Sequence, residues 1–233
     1  MPFFFDPAYM LAIAPALLLG MWAQYRVRST FTSASGEPAP LSGAAAARHI
    51  LDSAGATDVA VERVPGQLTD HYDPRTKVLR LSDPVYSSRS LAAVGIAAHE
   101  AGHAIQDHSG YALMTLRNAA VGMANVGSGM GLTLFMMGLM GSIRPLAWAG
   151  IALFAATVFF QLVNLPVEID ASNRAKRQLV ALGIVPQADM PHVNGVLNAA
   201  AWTYVAATLQ SVLTLVYYAS WLSHGERERE SEG

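Results

Sequence analysis

The chain has no cysteine among its 233 residues, which excludes disulfides and thiolate metal sites together. Charge is scarce as well: 15 Lys and Arg and 17 Asp and Glu make up 14% of the residues and leave a net charge of −2. So balanced a chain has no basic face for a phosphate backbone, and nucleic acid is set aside as a partner. No internal repeat is visible. What is abundant is apolar: 52% of residues are hydrophobic and the mean hydropathy is +0.30, too apolar for an ordinary soluble domain. The expected class is a mainly α integral membrane protein in a lipid bilayer, with about four transmembrane helices and a modest soluble part.

Apolar runs divide the sequence. The first, residues 3–23, is interrupted by Asp6 and Pro7 and followed by Arg26 and Arg28. Its positive charges come after the apolar run and no small-residue cleavage site follows, so residues 1–24 read as a retained anchor rather than a cleaved signal peptide. Residues 119–141 and 146–165 are each long enough to cross about 30 Å of hydrocarbon. The tight loop Ser142-Ile143-Arg144-Pro145 joins them into a transmembrane hairpin within 116–165, which leaves and returns on one side. Its many glycines suit close helix contact. Residues 193–222, with Trp202, Tyr204, Tyr217, Tyr218 and Trp221 placed as interface aromatics, supply a fourth span within 193–224. The charged tail, 225–233, reads as disordered. Arg26, Arg28, Arg174, Lys176 and Arg177 put segments 25–115 and 166–192 on the cytoplasmic side.

Within the first of those segments stands His99-Glu100-Ala101-Gly102-His103, an H-E-x-x-H pattern inside a helix expected over residues 90–107 and capped by Ser88 or Ser90. Residues four apart on a helix lie one above the other, so His99 and His103 can grip one metal ion while Glu100 reaches a water beside it as general base. Imidazole and carboxylate donors suit Zn2+, one per chain. The helix cannot complete the site. Asp107 lies about 12 Å of helix rise beyond His99 and His108 is farther. A metzincin extension would need glycine and histidine where the chain has Gln106 and Ser109.

A distant residue must therefore close the site, and Glu168 is the choice, because it follows the transmembrane hairpin directly on the side of the metal helix. Pro166 is expected to break the spanning helix and a new one to run over 167–182, stopped by Gly183 and Pro186. Asp170 and Ser172 are candidates to orient a ligating histidine through its other ring nitrogen. Before the metal helix come a helix over Gly43–Ser53 capped by Ser42, a strand over 58–64, and a hairpin of strands 67–72 and 77–82. The hairpin turns at Asp73-Pro74-Arg75-Thr76. Residues 29–43 read as a surface loop. The hairpin edge offers main-chain hydrogen bonds to an extended substrate. His71, in its first strand, stays open between a ligand, a transition-state donor and a surface histidine.

Four stretches then resemble one family: Gln67-Leu68-Thr69-Asp70-His71-Tyr72-Asp73-Pro74, Ala98-His99-Glu100-Ala101-Gly102-His103-Ala104-Ile105-Gln106, Leu165-Pro166-Val167-Glu168-Ile169-Asp170-Ala171-Ser172 and Leu197-Asn198-Ala199-Ala200. Together they look like the YugP-type neutral zinc metallopeptidases of bacteria, over nearly the whole chain. The resemblance implies a membrane zinc peptidase with His99, His103 and Glu168 as ligands and Glu100 catalytic. A fainter likeness links the chain to the HtpX-type and prenyl-protein endoproteases, whose glutamate sits in E-x-x-A-D; here Ser172 stands at the aspartate position. The expectation is a gluzincin-like zinc metalloendopeptidase of the bacterial inner membrane. It would be multi-pass, with its active site facing the cytoplasm and a peptide or membrane-protein substrate. The alternative is a non-proteolytic, chaperone-like or assembly protein with a structural metal, which a fourth side-chain ligand would reveal. A second oxyanion donor is left open among His71, His192, Arg174 and Tyr204.

Overall fold

The computed structural model describes residues 6–232, with side chains as far as His224; Phe3, Phe4 and Phe5 of the first apolar run lie outside the described residues. In chain order come α1 (Pro7–Ser35), α2 (Gly43–Ser53), β1 (Ala60–Val64), β2 (His71–Asp73), β3 (Val78–Ser82), α3 (Asp83–Ser87) and α4 (Leu91–His108). Then follow α5 (Ala112–Val126), a π-helical stretch Gly127–Gly131, α6 (Leu132–Met140), α7 (Arg144–Ala181) and α8 (Met190–Glu232). Among the described residues four helical stretches are long and apolar enough to cross a membrane: α1, Ala112–Met140, α7, and α8 as far as His224. The chain divides into two compact units, one of residues 22–115 and 166–202, the other of 1–21, 116–165 and 203–233.

The first unit carries the sheet, ordered β1-β3-β2, with β1 parallel and β2 antiparallel to β3. Leu79 and Leu81 alternate into the core, where they meet Ile50 and Leu51 of α2 and Val94 of α4, all fully buried. The hairpin forms at the expected turn but its first strand is only three residues long. Asp73 organises the turn, accepting from the Arg75 amide at 3.0 Å, the Thr76 hydroxyl at 2.8 Å and Arg80 at 3.1 Å. The bonds from Thr76, Arg80 and Arg75, in that order, hold its carboxyl down at about 2. Upstream, Gly66 and Leu68 both take positive φ, which ends regular pairing and leaves residues 67–70 as loop rather than strand.

Two local expectations give way to burial. Residues 29–35 continue α1 instead of opening a loop. The Thr30 hydroxyl bonds back to the Arg26 carbonyl at 2.8 Å, Ala34 is fully buried, and Phe31 packs on the core, so contact overrides a Ser- and Thr-rich composition. Pro166 likewise does not end a helix, and α7 runs through it. A proline removes one helical hydrogen bond, at a cost of about 3 kcal/mol. Against that stands the fully buried row Val167, Ala171, Ala175 and Leu179, which needs one continuous helix to keep its i, i+4 spacing. At about 57 Å, α7 is also far longer than the hydrocarbon is thick. The backbone of α8 is helical to Glu232, past the start of the tail read as disordered; side chains beyond His224 are outside the described residues.

The second unit is built on glycine contacts. A Cβ on Gly138 would lie 2.3 Å from the Ala147 backbone nitrogen, and one on Gly150 2.3 Å from that of Phe135. The helical stretches on either side of the Ser142-Ile143 connection thus touch backbone to backbone, as small residues allow. Gly129, in the π-helical stretch, has no atom within 4 Å of such a Cβ. Gly150→Ala is therefore expected to cost about 1–3 kcal/mol through overpacking, whereas Gly129→Ala is neutral or gains about 1 kcal/mol of helix propensity. Thermal unfolding in detergent measures both, and equal effects at the two positions would refute the contact.

Candidate metal centre

Helix α4 begins at Ser90, whose hydroxyl accepts from the Ala93 amide at 3.3 Å. Its interior is lined with small residues: Ala97, Ala98, Ala101, Gly102 and Ala104 are all buried. At Gly102, between the two histidines of the motif, α7 comes into backbone contact. A Cβ there would lie 2.5 Å from the Ala171 carbonyl oxygen, so only glycine lets the two backbones meet at this level. That approach carries Glu168, one turn before Ala171, up to the histidines.

The outcome is a group of three. Nε2 of His99 lies 3.2 Å from Glu168 Oε2 and Nε2 of His103 lies 3.4 Å from the same oxygen, with all three donor atoms within 4.8 Å of one another. Donors about 2.0–2.1 Å from a tetrahedral Zn2+ are spaced about 3.3 Å apart, so the spacing fits the ion. Burial fits as well: Glu168 is 3% exposed and His103 7%, and a carboxylate so enclosed calls for positive charge beside it. Burial alone would lower the His103 pKa, but the hydrogen bond and the charge of Glu168 outweigh it and the net direction is upward. Among the described residues the group has no fourth His, Cys, Asp or Glu.

The surrounding bonds involve some expected residues and some unexpected ones. Ser172 Oγ lies 3.1 Å from Nδ1 of His99. Asp170 does not reach a histidine; it accepts from Gln106 at 2.9 Å and from Arg174 at 2.5 Å, and Arg174 stacks over the Tyr111 ring at 5.6 Å. Gln106, fully buried, stands between: its Oε1 is 3.0 Å from Nδ1 of His103 and its Nε2 donates to the Val167 carbonyl at 2.8 Å. Sequence reading passed over Gln106, although its place three residues after His103 puts it on the same helix face. His71 stays outside the group, exposed, with Nδ1 2.7 Å from the Thr69 carbonyl.

Glu100 points to the sheet. Its Oε2 accepts from the Tyr72 backbone amide at 3.1 Å, and the Tyr72 hydroxyl donates to Asp107 at 2.8 Å. Residues 100 and 107 lie two turns apart on one face of α4, so Tyr72 pins β2 along the helix at two points. Burial, then the bond to Asp107, push the Tyr72 phenol above its usual range.

Among the described residues, four helical stretches long and apolar enough to cross a membrane stand with a His-His-Glu group that could hold a metal ion, the build that a membrane metalloprotein would have. Residues 9–223 match the family model described as "Putative neutral zinc metallopeptidase", and the chain belongs to that family. It is 46% identical over 215 residues to the protein named "Putative membrane protease YugP" of Bacillus subtilis (strain 168), covering 91% of this chain and 96% of that one. No solved structure matches.

The Gly102 contact has a measurable corollary. Gly102→Ala should weaken Zn2+ binding at least about tenfold, as loss of ligand support does, by forcing α7 away. Gly95→Ala, whose Cβ meets only the Val193 side chain at 3.2 Å, should be much milder. Chelator competition on the purified protein reads both, and an unperturbed Gly102→Ala would show that the approach does not set the ligand geometry.

Proposed function

We propose that the chain is a membrane-embedded zinc endopeptidase that hydrolyses peptide bonds with Glu100 as general base. The observation that carries the reading is the three-donor group of His99, His103 and Glu168, with Glu100 next to the first ligand on α4. The count of three favours a hydrolytic site over a structural one, which would hold four. Zn2+ bound there supplies Lewis acidity, bringing a water's pKa to about 7 and drawing developing charge off a peptide carbonyl.

The chain's own groups supply the rest. His99 and His103 would hold the ion with the ring nitrogens that face Glu168, and Glu168 with its carboxylate. Ser172 steadies the His99 ring through Nδ1. Glu100, its Oε2 steered by the Tyr72 amide, takes the proton of the attacking water on Oε1 and hands it to the leaving amine. The family's zinc and the relative's name, which calls it a membrane protease, are consistent with this chemistry. By the positive-inside rule Arg26, Arg28, Arg174, Lys176 and Arg177 support a site on the cytoplasmic face of the inner membrane, with peptides or membrane proteins as the proposed substrates. The fold of the metal-bearing portion is zincin-like and the ligand set gluzincin-like.

Metal analysis of detergent-purified protein tests this before any substrate is known. About one Zn2+ per chain is expected in wild type, with most of it lost in His103→Ala and in Glu168→Ala. Glu100→Gln should keep its zinc while cleavage of a denatured labelled casein falls by about 10²–10⁴-fold. A wild-type protein that holds no zinc, or a fully active Glu100→Gln, would overturn the reading.

A further inference from the structure

The buried amide of Gln106 is unused by the chemistry above, yet it makes three hydrogen bonds, to three different groups on two helices. Two of those groups are acceptors only. The Val167 carbonyl at 2.8 Å and the Asp170 carboxylate at 2.9 Å both demand an N–H, so together they fix the side chain with Nε2 toward α7. The remaining atom, Oε1, then faces Nδ1 of His103 at 3.0 Å and can only accept. A neutral imidazole carries one proton, and this acceptor claims it for Nδ1.

We propose that Gln106 is the positioning residue of the metal centre, setting the tautomer of His103 so that Nε2 presents a lone pair beside Glu168. With that tautomer, Nε2 of His103 and the Glu168 carboxylate, 3.4 Å apart, would both offer electron pairs to a cation held between them. The same amide holds the backbone at Val167, the residue before Glu168. Two of the three ligands, one on each helix, are thus referenced to one side chain that is 0% exposed. An amide suits the task better than a carboxylate would. It accepts from the imidazole without adding negative charge 2.9 Å from Asp170. Arg174, bonded to Asp170 and stacked over Tyr111, keeps that carboxylate turned toward Gln106.

The inference rests on the zinc reading and is tested by zinc affinity rather than by activity. Gln106→Met keeps the length of the side chain and its helix propensity while removing every hydrogen bond. It should weaken Zn2+ binding by about 10–100-fold in a chelator competition. Gln106→Glu should weaken it comparably, because a carboxylate cannot donate to Val167 or Asp170. Adding Asp170→Asn to Gln106→Glu returns a donor to face the new acceptor while keeping the wild-type net charge, and should recover part of the lost affinity, the Val167 carbonyl still lacking its donor. A role in packing alone would not be rescued by that exchange. If Gln106→Met fails to fold, the exchange decides: recovery supports the proposal and no recovery overturns it. Wild-type affinity in Gln106→Met would overturn it while leaving the metallopeptidase reading intact. Absence of zinc from the wild type would remove both.

Discussion

The contact on which the site depends is a carbonyl oxygen resting against a glycine. Packed helices ordinarily keep their axes about 8–10 Å apart because side chains stand between them. At Gly102 nothing stands between, and the Ala171 carbonyl fills the space of the missing Cβ. The short reach of a glutamate from α7 to two imidazoles on α4 follows from that approach. So does the burial of its carboxylate, since helices this close leave little room for water around Glu168. Both distances from Glu168 to the histidines are downstream of one absent methyl.

Negative charge is distributed with care around this point. Glu168 lies among imidazoles, Asp170 is matched by Arg174, and Glu100 is turned to a backbone amide of β2. The neutral Gln106 separates Asp170 from the histidines. Enclosing several carboxylates within a few residues would be costly if each were left without a partner. Here each has a specific one, and the partners come from both the sheet and the helices.

What the sequence disclosed followed physical type. Residues whose role is set by local spacing were legible: the i, i+4 histidines, the Ser42 and Ser90 caps, and the Asp73 turn. Glu168 was reachable by a longer route, because the motif lacked a ligand and the chain returned beside it. Local propensity misled where tertiary burial is strong. Thr30 and its neighbours look like loop and Pro166 looks like a break, but each lies in a helix that buries a residue fully close by, Ala34 in the first case and Val167 in the second. Gln106 carried no signal in composition or spacing strong enough to mark it. Its significance comes from Val167 and Asp170, some sixty residues on, and only the meeting of α4 with α7 brings them together.

The short strand β2 shows a further use of Glu100. An edge strand presents main-chain donors to any passing chain, and such edges invite runaway pairing unless they are blunted. In β2 the Tyr72 amide turns away from β3, and Glu100 already holds it. A second protein approaching this edge would find the donor engaged and a negative charge standing in front of it. The acid that sits beside the metal ligands thus also occupies a main-chain donor of the sheet edge, so a substitution there changes what that edge presents as well as what the site can do.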